Sequence, residues 1–138
     1  MTVHHENLTV RSEHRLDTMD ITARVRSAVT RSAVRQGMCT VTSLHTTAGL
    51  FINENADPNV RADLLSHLGK LVPIDEEFRH AEGNADAHIK TVLMGNAITC
   101  SVRDGELVLG EWQGIFFAEF DGPRDRNAAV TVIGDDAG

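Results

Sequence analysis

The last third of the chain constrains the fold most. From Ala97 onward every stretch long enough to form an element reads as extended: residues 98–103, 106–109, 114–121 and 128–133. Asp104-Gly105 lies between the first two, and an Asp-Gly pair between extended runs marks a hairpin turn. Four consecutive strand-like runs leave rows of backbone N–H and C=O groups that only pairing with other strands satisfies. Earlier segments supply the partners. Residues 7–14 alternate Leu8, Val10, Ser12 against Thr9, Arg11, Glu13, and residues 38–46 alternate Cys39, Val41, Ser43 against Thr40, Thr42, Leu44. A further short extended segment is expected over 50–54, after a bend near Gly49.

Helical periodicity fills the gaps. Asp20 precedes Ile21, Val25, Ala28, Val29 and Ser32, spaced by three and four, and Gly37 closes the run, which predicts a helix over 21–36. Asp57 followed by Pro58 pairs an N-cap with a proline in the first turn, and Val60, Leu64, Leu68 and Leu71 make a stripe over 58–70. Asn84 caps a short helix that carries Ala85, Ile89, Val92 and Leu93 and stops at Gly95. The order β-α-β-β-α-α-β-β-β-β describes one α+β domain over residues 1–138, an antiparallel β-sandwich core of at least seven strands covered by about three helices.

Composition narrows the function classes. With 41% apolar and 24% charged residues the chain is not a disordered one. No apolar run approaches the roughly 20 residues of a membrane span. The first ten residues lack the basic and apolar regions of a signal peptide, so a soluble cytoplasmic protein without a membrane partner is expected. A net charge of −7 opposes approach to phosphate backbones, and nucleic acid is not an expected partner. Cys39 and Cys100 read as reduced core residues with no disulfide.

Seven histidines in so short and acidic a chain need a reason. His45, His80 and His88 fall at a strand end, in a loop and in the first turn of the third helix. Three imidazoles can converge on one divalent ion and leave a position open for water or substrate, as at catalytic zinc sites. Their spacing alone does not separate them from solitary surface histidines, where His4, His5, His14 and His67 belong. Asn84 shares a helical face with His88 and is placed to orient it, whereas Asp86 points elsewhere. The turn at 83–86 offers N–H groups suited to an anion. Glu119 lies on the same strand face as Ile115 and Phe117, opposite Phe116, Ala118 and Phe120, so its carboxylate needs a cation, a metal or a proton. Arg124 or Arg126 could cap it, or could grip a phosphate. Glu54 can share a site with His45 only if the chain bends near Gly49.

Four strings carry a wider likeness: His45-Thr46-Thr47-Ala48-Gly49 with Asn53-Glu54-Asn55-Ala56-Asp57; Arg79-His80-Ala81-Glu82-Gly83-Asn84-Ala85-Asp86-Ala87-His88-Ile89-Lys90; Leu109-Gly110-Glu111-Trp112-Gln113-Gly114-Ile115; and Glu119-Phe120-Asp121-Gly122-Pro123-Arg124. In this order they closely resemble the YjbQ-like family, also described as secondary thiamine-phosphate synthase. The resemblance implies a β-sandwich core, assembly as a homotrimer, and a divalent metal, zinc by the chemistry above, held at His45, His80 and His88. It also implies an activity joining a pyrimidine diphosphate to a thiazole phosphate with loss of pyrophosphate. The expectation is therefore a metal-dependent enzyme of an anionic small molecule, with Glu54 or Glu119 as proton carrier and Asn84, Asp86 and Arg124 at the substrate. The alternative is a non-catalytic metal-binding trimer.

Overall fold

The computed structural model describes residues 1–137. Its elements are β1 (Thr2–Arg11), β2 (Asp17–Asp20), α1 (Thr22–Ser32), β3 (Gln36–Ser43), β4 (Ala48–Glu54), α2 (Pro58–Leu71), α3 (Ala85–Met94), β5 (Ala97–Arg103), β6 (Glu106–Leu107), β7 (Gln113–Glu119) and β8 (Asp125–Asp135). Two antiparallel sheets form, one ordered β1-β8-β3-β5-β6 and the other β2-β7-β4. The expected α+β class, with three helices and more than seven antiparallel strands, is what the chain adopts.

Alternation along each strand explains the layers. Leu8 and Val10, Cys39 and Val41, Cys100 and Val102, and Val130 and Val132 point from the larger sheet into the main core, where Leu50, Ile115 and Phe117 meet them from the smaller one. Val25, Ala28 and Val29 bring α1 into the same core. The other face of β7 turns Ala118 outward, and with Phe120 it packs against Ala87, Leu16, Phe51, Leu65, Leu68 and Met94. Helices α2 and α3 therefore cover the far side of the smaller sheet. Asp57 caps α2 by accepting from the Asn59 N–H at 2.9 Å, as its sequence predicts. The α2 stripe differs from the expected one: no α2 residue is fully buried, Leu65 and Leu68 make the contact, and Leu71 is exposed.

Several boundaries move, each for a packing reason. Helix α1 ends at Ser32, with Ala33 in the left-handed region at φ 61°, and Gly37 is not its cap. Gly37 lies inside β3 opposite Gly134, where a Cβ would sit 2.0 Å from the Ile133 carbonyl oxygen. β1 begins five residues early, because His4 and Glu6 also turn inward and Arg31 of α1 reaches over to Glu6 at 2.7 Å. β2, four residues with Met19 as their single apolar side chain and so no alternation to read, was not expected; it pairs Asp17 with Glu119 at the end of β7. Cys39 and Cys100 face each other in register as free, buried thiols. No helix among the described residues is long and apolar enough to cross a membrane.

Candidate functional site

The end of β3, the start of β4, α3, the end of β7 and the start of β8 meet at one corner of the molecule. Residues 44–47 carry the chain from the larger sheet to the smaller one, so the turn precedes Gly49, which already belongs to β4. Gly49 lets α3 come close: a Cβ there would lie 2.5 Å from the Gly95 carbonyl oxygen. That carbonyl accepts from the Leu50 N–H at 3.1 Å, and the Asn96 carbonyl accepts from the Ser43 N–H at 2.8 Å. Between the turn and the helix lies a cavity of about 440 Å³ walled by His45, Thr46, His88, Thr91, Val92 and Asn96. A second, about 480 Å³, is lined by Phe78, Arg79, His80, Ala85, His88 and Ile89, so His88 belongs to both.

Tied to the 44–47 turn is a buried ion pair. Glu119 accepts from both Nε and Nη2 of Arg126, from the Ser12 hydroxyl at 2.7 Å and from the Asp121 N–H at 3.0 Å. Arg126 Nη2 also donates to Thr47 Oγ1 at 2.8 Å, which ties the pair to the 44–47 turn. Burial pushes the Glu119 carboxyl pKa up, but the hydrogen bonds from Arg126, Asp121 and Ser12 outweigh it and the net shift is downward. A carboxylate so held is ionised and fully engaged, which places Glu119 outside the role of proton carrier. The cation it needs is Arg126. Arg124 is half exposed and binds Asp121 instead, through the backbone oxygen at 3.0 Å and the carboxylate at 3.2 Å.

Other expected site residues also find different partners. Asn84 does not orient His88: its Nδ2 donates to Asp121 Oδ2 at 2.9 Å and its Oδ1 faces His80 Nε2 at 3.0 Å. Asp86 is buried away from the cavities, between Arg15 at 2.9 Å and Lys90 at 2.6 Å. Burial raises its pKa, and the hydrogen bonds from Arg15 and Lys90 more than reverse that, so Asp86 is an internal anchor for α3 and not a ligand-binding group. Glu54 stands opposite Gln113 whereas Ala48 stands opposite Glu119, so Glu54 is at the other end of β4. At about 3.3 Å per strand residue that is roughly 20 Å from the histidines.

The three histidines come to one region without forming a metal centre within the chain. His80 and His88 pack edge to face with ring centroids 5.1 Å apart. His45 Nε2 accepts from the Asn127 N–H at 2.8 Å. A backbone N–H only donates, so the single lone pair of a neutral imidazole is already used there. Among the described residues no group of three or more His, Cys, Asp or Glu is arranged to hold a metal ion. The residues as placed do not fit a three-histidine ion, because His45 has no lone pair to give it.

The chain as a whole has known counterparts. The family described as UPF0047 protein YjbQ-like matches residues 6–135. The chain belongs to the YjbQ-like family. A UPF0047 protein of Methanocaldococcus jannaschii is 48% identical over 126 residues, 91% of each chain. The YugU protein of Bacillus subtilis is 39% identical, over 94% of this chain and 98% of that one. A crystal structure of a YjbQ/UPF0047 protein from Clostridium acetobutylicum superposes with a TM-score of 0.91 at 46% identity, covering 93% of this chain and 99% of that one. A YbjQ-like protein from Sulfolobus solfataricus gives a TM-score of 0.94 at 30% identity, covering 96% and 98%.

Within this YjbQ-like fold, sequence reasoning overlooked Thr47, Asp121, Arg15 and Lys90. Thr47 and Asp121 lie inside strings that carried the family likeness, beside residues of more obvious chemistry. Lys90 stands four residues after Asp86, a spacing that pairs opposite charges on one helix face. Arg15 had no local signal, since its partner is 71 residues away.

Proposed function

We propose that the protein binds and transforms a phosphorylated or otherwise anionic small molecule in the cavity walled by His45 and His88. The observation that carries this is the convergence of two imidazoles, one from the 44–47 turn and one from α3, on a cavity that also receives Thr46 and Asn96. Hydroxyl, amide and imidazole N–H groups are hydrogen-bond donors suited to phosphoryl oxygens. The family resemblance supplies the reaction class, joining a pyrimidine diphosphate to a thiazole phosphate with release of pyrophosphate. With Glu119 paired and Glu54 at the far end of β4, His88 is the proton carrier in this scheme. Leu44, Val92 and Leu93 are exposed apolar side chains that support burial against another copy, and the family resemblance makes that assembly a homotrimer. A cytoplasmic location, with neither membrane nor nucleic acid as partner, completes the proposal.

The test is calorimetric titration of chelator-treated protein with pyrophosphate, alongside elemental analysis. Saturable binding that is lost in His88→Ala supports the proposal. Absence of binding, or binding unchanged in His88→Ala, overturns it.

A second function is favoured by the edge-to-face contact of His80 and His88. Two imidazoles at that separation could share one zinc ion completed by a donor from another copy, in a non-catalytic metal-binding trimer. Stoichiometric zinc in purified protein, lost together with the oligomer in His80→Ala, would favour this alternative.

A further inference from the structure

The hydrogen bonds around His45 and His80 fix where each ring carries its proton, and they fix the two rings oppositely. His45 Nε2 faces the backbone N–H of Asn127 at 2.8 Å. The N–H can only donate, so Nε2 is the unprotonated nitrogen and the hydrogen sits on Nδ1. His80 Nε2 faces Asn84 Oδ1 at 3.0 Å. The orientation of that amide follows from its other end, where Nδ2 meets the Asp121 carboxylate, which only accepts. Arg124 donates to the same Asp121 oxygen at 3.2 Å. The Glu82 carboxylate lies on the same side, 3.6 Å from His80 Nε2. His80 therefore holds its hydrogen on Nε2, and in the neutral ring Nδ1 keeps a free lone pair.

We infer that His45 presents a fixed N–H donor and His80 a fixed lone pair to one ligand that spans the two cavities joined by His88. The ligand class follows from this polarity: a molecule with a phosphoryl oxygen at the His45 end and an exchangeable proton, on a hydroxyl or an amine, at the His80 end. Both residues are positioning groups, and His45 does its work by hydrogen bonding and not by holding a metal. The inference rests on the anionic-ligand function proposed above.

Long-range proton–nitrogen NMR of the ¹⁵N-labelled full chain, at about pH 8 where unperturbed imidazoles are neutral, reads the tautomers directly. The expected result is Nδ1–H at His45, Nε2–H at His80, and no movement of His45 nitrogens when zinc chloride is added. A proton on Nε2 of His45 or on Nδ1 of His80, or a zinc-dependent shift of His45, overturns the inference without touching the anionic-ligand function. Inorganic phosphate then tests the donor. It should shift the His45 Nδ1 resonance in the wild type. His45→Asn, whose amide nitrogen falls near the place of Nδ1, should keep phosphate affinity, and His45→Gln, which restores only the acceptor for Asn127, should bind about tenfold more weakly. Correct tautomers with no phosphate-dependent shift overturn the anionic-ligand function itself, and with it the donor's use.

Discussion

Arg126 at the start of β8 closes a two-pronged ion pair on Glu119 at the end of β7, and the two side chains are 2% and 0% exposed. Thr47 completes the arrangement by accepting from the same guanidinium, so one buried cation fixes the strand ends and the turn that carries His45. Removing one partner of a buried pair strands the other charge, whereas an exposed pair contributes little. Arg126→Ala should cost about 3–5 kcal/mol in urea unfolding, and Arg124→Ala less than about 1 kcal/mol. Equal losses in the two variants would contradict this assignment.

Acid should unfold the protein through the same groups. Glu119 and Asp86 have folded pKa values below their ordinary ones, and the Arg31 and His4 hydrogen bonds bring Glu6 to about 2. Because these values are depressed, the stability they confer is fully present above the unfolded pKa values of 4.5 for Glu and 3.8 for Asp. It is lost as pH falls through the folded values, because the unfolded chain takes up the protons first. Unfolding free energy measured against pH should be level near neutrality and decline below about pH 4.5, and Glu119→Gln should flatten the decline. A profile that rises on acidification would be inconsistent with these pairs.

The cysteines should be silent in the native state. Burial pushes the Cys39 thiol up to about 12, with Cys100 beside it adding to the shift, and burial raises Cys100 as well. Reactivity follows the thiolate, so a chromogenic disulfide reagent at neutral pH should find no reactive thiol until denaturant is added, and then two. Rapid labelling of the folded protein would place at least one of them elsewhere.

Gly49→Ala probes the wall of the cavity. The new methyl would meet the Gly95 carbonyl at 2.5 Å, and backbone has to shift to admit it. A cost of about 1–3 kcal/mol in thermal or urea unfolding is expected, together with weaker phosphate binding as α3 moves off the turn. Full stability and affinity would show that the close approach is unimportant.

Local chemistry made much of this legible in the sequence. Strict alternation placed Ile115, Phe117 and Glu119 on one face of β7 and Ala118 on the other, and low solubility of a bare carboxylate among apolar groups demanded a cation for Glu119. The Asp57-Pro58 start, the Asp104-Gly105 turn and the reduced cysteines are likewise read from a few neighbouring residues. These features depend on periods and short-range bonds that any stretch of chain carries with it.

Partner choice was decided by the tertiary structure. Arg124 and Arg126 are equivalent as text, but β8 register and the path of the 121–125 loop turn only Arg126 inward. Glu54 and His45 stand close in sequence, yet β4 carries them to opposite ends of a strand. Asn84 and His88 share a helical face, yet the fold brings Asp121 to the Asn84 amide nitrogen and His80 to its oxygen. The proton on His45 is set by a backbone N–H from a strand 82 residues away. A side chain's partner is fixed by which elements the folded chain brings within about 3 Å, and hydrogen bonds act only over that range.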